Sequence, residues 1–207
     1  MANSIHQNIP IRAVIGLGNP GRNYENTRHN VGFKVIDLIL KDIAESKIKY
    51  ASERESIIAS VQILRRKVFF VKPLSYMNLS GNVVARLLKK EDINVEEILV
   101  VHDDMDIELG RIKLKIGGGA AGHNGVESVI FSLGTEKFAR LRIGIGREKN
   151  RPMHEYVLSE FKDEEKTIIQ KSLELSADAV RLTIRRDFVT AMNKYNVVYP
   201  LLNKNSN

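Results

Sequence analysis

The chain of 207 residues contains no cysteine, which excludes disulfides, thiolate nucleophiles, iron–sulfur clusters and cysteine-ligated zinc before any motif is read. No apolar run approaches the roughly 20 residues that a membrane-crossing helix needs. Residues 1 to 10 lack both the basic start and the apolar stretch of an export signal. These absences predict a cytoplasmic protein with no membrane partner. HExxH and Walker lysine patterns are also missing, as are internal repeats, linkers and low-complexity segments.

What is present suits one core. Hydrophobic residues make up 43% of the chain, enough at this length for a single domain over 1–207, with frayed ends expected at 1–10 and 203–207. Lys plus Arg outnumber Asp plus Glu by 32 to 25, a net charge of +7 that biases the molecule toward a polyanion such as nucleic acid.

Arg12 to Leu17 form a β-rich run that ends in Gly16, Gly18, Pro20 and Gly21, the pattern of a strand entering a tight loop. Val31 to Ala44 follow with Val35, Ile36, Ile39, Leu40 and Ile43 at helical spacing, behind Asn30 as an N-cap. Segments 56–64 and 67–72 read as a hairpin turning at Arg65-Arg66, and Val83, Val84, Leu87 and Leu88 as one helical face. Ile98 to Val101 are continuous and apolar and stop at acidic residues, as a buried central strand does at a functional end. Ile112, Leu114 and Ile116 alternate as a strand; a glycine-rich loop at 117–122 precedes a helix over 124–133. A strand at 141–146 and a long helix over 163–186 complete the pattern, which predicts an α/β fold: a mixed, twisted central sheet flanked by helices.

The loop Gly16-Leu17-Gly18-Asn19-Pro20-Gly21 has the spacing of a dinucleotide fingerprint. Pro20 and the polar stretch 22–30 delay the helix that should receive a pyrophosphate, so a dinucleotide-binding oxidoreductase is the weaker alternative. Four loop segments carry asparagine or histidine: Asn19; Thr27-Arg28-His29-Asn30; Tyr76-Met77-Asn78-Leu79; and Gly122-His123-Asn124-Gly125. Any one of these asparagines alone reads as a helix cap or a turn.

Together, the segments resemble the bacterial-type peptidyl-tRNA hydrolase family, from about Val14 to Asn193. The first signature spans Gly16 to Gly21 with Tyr24 and Thr27 to Asn30, and the second runs from Lys72-Pro73 through Met77 to Gly81. The third is Val101-His102-Asp103-Asp104-Met105-Asp106 with Gly117 to Gly119 and Gly122 to Gly125, and Arg140 to Arg147 adds another. Two departures are Ala120-Ala121, where His, Ser or Gly are usual, and Ile107-Glu108-Leu109, where proline is common.

The resemblance implies hydrolysis of the ester between peptide and tRNA in peptidyl-tRNA, recycling tRNA released prematurely from ribosomes. An ester has a good leaving group, so a base-activated water and a few oriented donors suffice without cofactor, metal or covalent nucleophile. The resemblance further implies that His29 is the general base and Asp103 its partner carboxylate. Asn19, Asn78 and Asn124 would supply amide groups to the substrate, with Tyr24 in binding and Met77 lining the site. Lys115 and Arg142 align with positions that hold the tRNA 5′ phosphate, and Arg181 and Arg185 lie one turn apart where they could follow the acceptor stem. The expected protein is monomeric. A non-catalytic RNA-binding protein of the same fold is an alternative, and a Mg²⁺-dependent phosphoryl-transfer site at Asp103, Asp104 and Asp106 a third.

Overall fold

The computed structural model describes residues 10–197, apart from Arg54 and the side chains of Ser52 and Glu53. The ends expected to fray therefore lie, except for Pro10, outside the described residues. Seven strands form one mixed sheet: β1 (Ala13–Gly16), β2 (Ile48–Glu53), β3 (Ser56–Ile63), β4 (Arg66–Pro73), β5 (Ile98–Asp104), β6 (Ile112–Ile116) and β7 (Ala139–Gly144). Their spatial order is β2-β3-β4-β1-β5-β7-β6. The central β4, β1, β5 and β7 are parallel, while β2, β3 and β6 are joined antiparallel at the two sides.

Among the described residues, six α-helices cover the sheet: α1 (Val31–Lys41), α2 (Ser80–Glu91), α3 (Asn124–Leu133), α4 (Met153–Val157), α5 (Asp163–Arg185) and α6 (Phe188–Tyr195). One core lies under α1, α5 and α6 and the other under α2 and α3. Being covered on both faces, β5 is buried at every position, which is why its sequence is a continuous apolar run rather than an alternation. Among the described residues, no helix is long and apolar enough to cross a membrane.

The sequence pattern misplaces three details at element ends. α1 stops at Lys41, three residues before Ala44, although Ile43 still packs on the core from the turn beyond it. The hairpin turns at Leu64 and Arg65, both with positive φ (49° and 65°), rather than at Arg65-Arg66; a two-residue loop between twisted strands demands that conformation whatever residues occupy it. Asn30 precedes α1 without a side-chain cap hydrogen bond, because its amide is engaged with Asn19.

The side of the sheet formed by β6 is closed by a side chain. Asn196, just after α6, accepts from the Leu114 N–H at 2.6 Å and donates to the Leu114 carbonyl at 2.9 Å.

Close backbone approach fixes the start of α1 over the sheet. A Cβ on Gly32 would lie 2.5 Å from the Leu17 nitrogen, the Leu17 oxygen and the Val101 oxygen, and backbone cannot yield as a flexible side chain can. We expect Gly32→Ala to destabilise the protein by about 1–3 kcal/mol or more through overpacking. Urea unfolding should show a lower midpoint with an unchanged slope; a wild-type midpoint would refute the packing account.

Candidate active site

Because β4, β1, β5 and β7 run parallel, their carboxyl ends share one edge of the sheet. The chain leaves β1 toward β4 on one side and returns to β5 on the other, and such a reversal opens a crevice beyond the strand ends. His29 enters it on a 3-10 turn over Arg28–Asn30, directly before α1, and Asp103 enters it from β5. Both are buried, at 6% and 2% exposure.

His29 Nδ1 lies 2.8 Å from Asp103 Oδ1, and the same oxygen receives His123 Nε2 at 3.0 Å. His123 is the N-cap of α3: its Nδ1 accepts from the Gly125 N–H at 3.1 Å and the Val126 N–H at 3.3 Å. Those two bonds need a lone pair on Nδ1, so the proton of the neutral ring sits on Nε2, facing Asp103. His29 likewise presents Nδ1–H to the carboxylate and keeps Nε2 as its free nitrogen.

Burial opposes a proton on His29, but the charge and hydrogen bond of Asp103 outweigh it and raise the pKa above its ordinary 6.5. Burial also opposes the charge on Asp103, yet His29 and His123 hold it well below the usual carboxylate range. His102 behaves oppositely. Full burial, reinforced by His123, drives its pKa well below 6.5, its Nδ1 lies 2.7 Å from the Asp103 carbonyl, and its buried Nε2 has no hydrogen-bond partner among the described residues. It is a neutral ring packed edge-on against His123, with 4.9 Å between centroids.

Asn19 and Asn30 lock two loops together. The Asn19 N–H donates to Asn30 Oδ1 at 2.8 Å and Asn30 Nδ2 donates to the Asn19 carbonyl at 2.9 Å. Asn19 Oδ1 in turn accepts from the Met77 N–H at 2.9 Å, which leaves its Nδ2 as the side chain's donor. Asn78, one residue on, is exposed on a 3-10 turn over Met77–Leu79. Met77 itself is buried against Gly125, a packing position. Tyr24 is half-buried, and its carbonyl accepts from Thr27.

A cavity of about 250 Å³ brings His29, Asp103, His123 and Asn124 together with Met105, Ala120, Met153 and Val157. Asn19, Tyr24 and Asn78 lie outside its wall. A larger open groove of about 520 Å³ runs along α1 beyond the Asn19–Asn30 pair, but includes neither His29 nor Asp103, so the smaller cavity is where chemistry can occur.

The β6/β7 register sets Lys115 opposite Arg140 and Lys113 opposite Arg142, so all four cations share one face of the sheet. Arg140 donates to the carbonyls of Gly118 and Gly119 and so shapes the glycine loop. Arg142 donates through Nε to Asp104 at 2.6 Å, while Lys115 is exposed. Arg181 pairs with Asp178 and Asp42, the second a contact that the local sequence pattern does not anticipate.

His29, Asp103 and His123 offer three metal-ligating atoms within 4.8 Å of one another. A cation on His123 Nε2 would send the ring proton to Nδ1, where it would oppose two backbone N–H groups. The donor set fits a hydrogen-bonded triad instead. The three aspartates do not converge either: Asp104 binds the Asp106 N–H and Arg142, and Asp106 pairs with Arg147. The dinucleotide reading also fails locally, because 3-10 turns at Arg22–Tyr24 and Arg28–Asn30 intervene before α1.

His123 and Lys113 were absent from the roles read from sequence. The loop around His123 was visible, but its contact with Asp103 depends on the fold, and Lys113 was detectable only as the alternate residue to Lys115. Comparison with known proteins agrees with the geometry. The peptidyl-tRNA hydrolase family profile matches residues 13–205. The peptidyl-tRNA hydrolase of Geobacillus thermodenitrificans is 44% identical over 187 residues, covering 90% of this chain and 100% of that protein. That of Bacillus subtilis is 42% identical over 186 residues, covering 88% and 97%. The crystal structure of the Acinetobacter baumannii peptidyl-tRNA hydrolase superposes with a TM-score of 0.85 at 32% identity, covering 92% of this chain and 96% of that one. A buried histidine–carboxylate pair at the strand ends, set in a fold and a sequence shared over nearly the whole chain, places this protein in the peptidyl-tRNA hydrolase family.

Proposed function

We infer that the chain hydrolyses the ester joining peptide to tRNA in peptidyl-tRNA, with His29 as general base, so that tRNA released prematurely from ribosomes is recycled. The observation that carries the base assignment is the 2.8 Å contact between His29 Nδ1 and Asp103 Oδ1, which leaves Nε2 free to accept a proton. In this reading a water in the cavity gives its proton to Nε2 as its oxygen attacks the ester carbonyl. The tetrahedral intermediate then collapses, the ribose oxygen leaves and takes that proton back, and the peptide departs as a carboxylic acid that gives its remaining proton to solvent and becomes a carboxylate. Asp103 holds the ring in the required tautomer and stabilises the imidazolium that forms.

Asn124 at the cavity supplies a donor to the substrate carbonyl and the developing oxyanion, and Asn19 Nδ2 and Asn78, outside the cavity wall, are assigned to substrate binding on family resemblance. Tyr24 is assigned to binding on family resemblance. Lys115 and Arg142 take the 5′ phosphate of the acceptor stem, with Lys113 beside them on the same face; Asp104 occupies Arg142 Nε and leaves the guanidinium's terminal nitrogens for the phosphate. The proposed chemistry draws on a base-activated water and oriented side-chain donors and calls on no cofactor or metal, and the protein is proposed to act as a monomer. The proposed location is the cytoplasm, where translation generates this substrate.

His29→Ala should lower turnover of peptidyl-tRNA by about 10²- to 10⁴-fold, the usual worth of a general base, while tRNA binding persists. A folded variant with near-normal turnover would remove His29 from the role. The pH profile gives an independent check. The base works when neutral, and Asp103 raises its pKa above 6.5, so turnover should rise with pH through an inflection above that value. In Asp103→Asn the inflection should move down and the plateau should fall, because the raising charge and the stabilisation of imidazolium are both lost. An unmoved inflection with unchanged turnover would separate the two residues.

If Lys115 and Arg142 read the 5′ phosphate, alanine at either position should raise KM for a 5′-phosphorylated substrate far more than for the same tRNA lacking that phosphate. The salt dependence of binding should become shallower by roughly one contact. Equal KM increases on both substrates would refute the assignment.

A further inference from the structure

Arg28, the residue before His29, is 2% exposed, an expensive place for a cation unless every face is engaged. Its guanidinium lies between the rings of Tyr156 and Phe161, 4.5 Å from each centroid. Nη2 meets Glu165 at 2.5 Å, and longer contacts of 3.4 Å run from Nη1 to the Ile145 carbonyl and from Nε to Ser159 Oγ. The Arg28 N–H donates to the Ser159 carbonyl at 2.9 Å, and Thr27 bridges Glu160. One side chain thus ties the turn carrying His29 to the end of β7, to the segment after α4 and to the first turn of α5. Met153, His154 and Val157 of α4 form the cavity wall facing His29, and Tyr156, which covers Arg28, comes from the same helix.

We propose that Arg28 is a positioning residue: its clamp between Tyr156, Phe161 and Glu165 fixes His29 against Asp103 and sets the separation between His29 and the α4 wall. The proposal rests on His29 being the base. Stacking on two faces and a carboxylate at one end define a plane that only a guanidinium fills. A lysine ammonium would keep the charge but lose the stacked plane and the fork. The residue touches neither the cavity nor the reacting atoms; its effect passes through His29.

The test uses Arg28→Lys and Phe161→Leu in the full chain. Both leave every charge near His29 in place, so a change in its titration reports geometry rather than Coulombic loss. Each folded variant should lose about 10- to 100-fold in kcat on peptidyl-tRNA, the scale of a misplaced catalytic group. KM should change by less than about threefold, since binding groups are untouched. The acid limb of the kcat profile should move to lower pH, as the Asp103 contact that raises it loosens. Val68→Ala, in the buried core at β4 away from the site, supplies a destabilised control that should keep the wild-type profile. Wild-type kcat and titration in either folded variant would overturn the proposal. So would a loss confined to KM, or an identical shift in the Val68→Ala control. Phe161→Leu, which trims one ring and keeps the Arg28–Glu165 pair, is the second variant on which the proposal stands or falls if Arg28→Lys does not fold. Full activity in His29→Ala would instead defeat the base assignment on which the proposal stands.

Discussion

Everything at the active site turns on one buried oxygen. Asp103 Oδ1 accepts from two histidines, and without them a carboxylate at 2% exposure would be driven toward its neutral acid. With them it stays ionised, and the two rings lose their freedom to choose a tautomer. His29 is turned so that one nitrogen is spent on the carboxylate and one is left over. His123 is turned so that its other nitrogen starts a helix. The same atom therefore fixes the proposed base, the N-terminus of α3 and the position of Asn124, the first residue of that helix.

This dependence explains why the site is assembled from strand ends and tight turns. Parallel strands deliver Asp103 and the loop after β1 to one edge, and the sub-van der Waals space at Gly32 lets α1 start directly against β1 and β5. The Asn19–Asn30 pair then closes the loop between them, and Asn19 reaches across to the backbone at Met77. Each of these links is polar and buried, and each satisfies a group that would otherwise be costly to bury. The loop preceding α1 is irregular in backbone yet tightly specified by its side chains.

Much of this was legible from sequence where the signal is local. Glycine and proline marked the loop after β1, apolar runs marked β5 and α1, and the motif wording singled out His29, Asp103 and the asparagines. β2 escaped because its residues, such as Lys49 and exposed Tyr50, form an edge strand with little apolar patterning. α4 and α6 escaped because they are short, at 5 and 8 residues, too few turns for a period to stand out. The contacts of Asn30 and Arg181 escaped for a shared reason: each side chain bonds a partner distant in sequence, and local preference cannot anticipate that. Arg28 is a comparable case, meeting Glu165 137 positions away.

The amide of Asn196 has a consequence beyond the fold. β6 forms one rim of the sheet, and a rim strand with free N–H and C=O groups is a template onto which another chain can add. By occupying both groups of Leu114, one side chain stands in for the missing neighbour at the middle of that strand. A second copy would have to evict it before pairing, so the rim that carries the cations is blunted against sheet-to-sheet aggregation while Lys113 and Lys115 stay on the face proposed to meet tRNA.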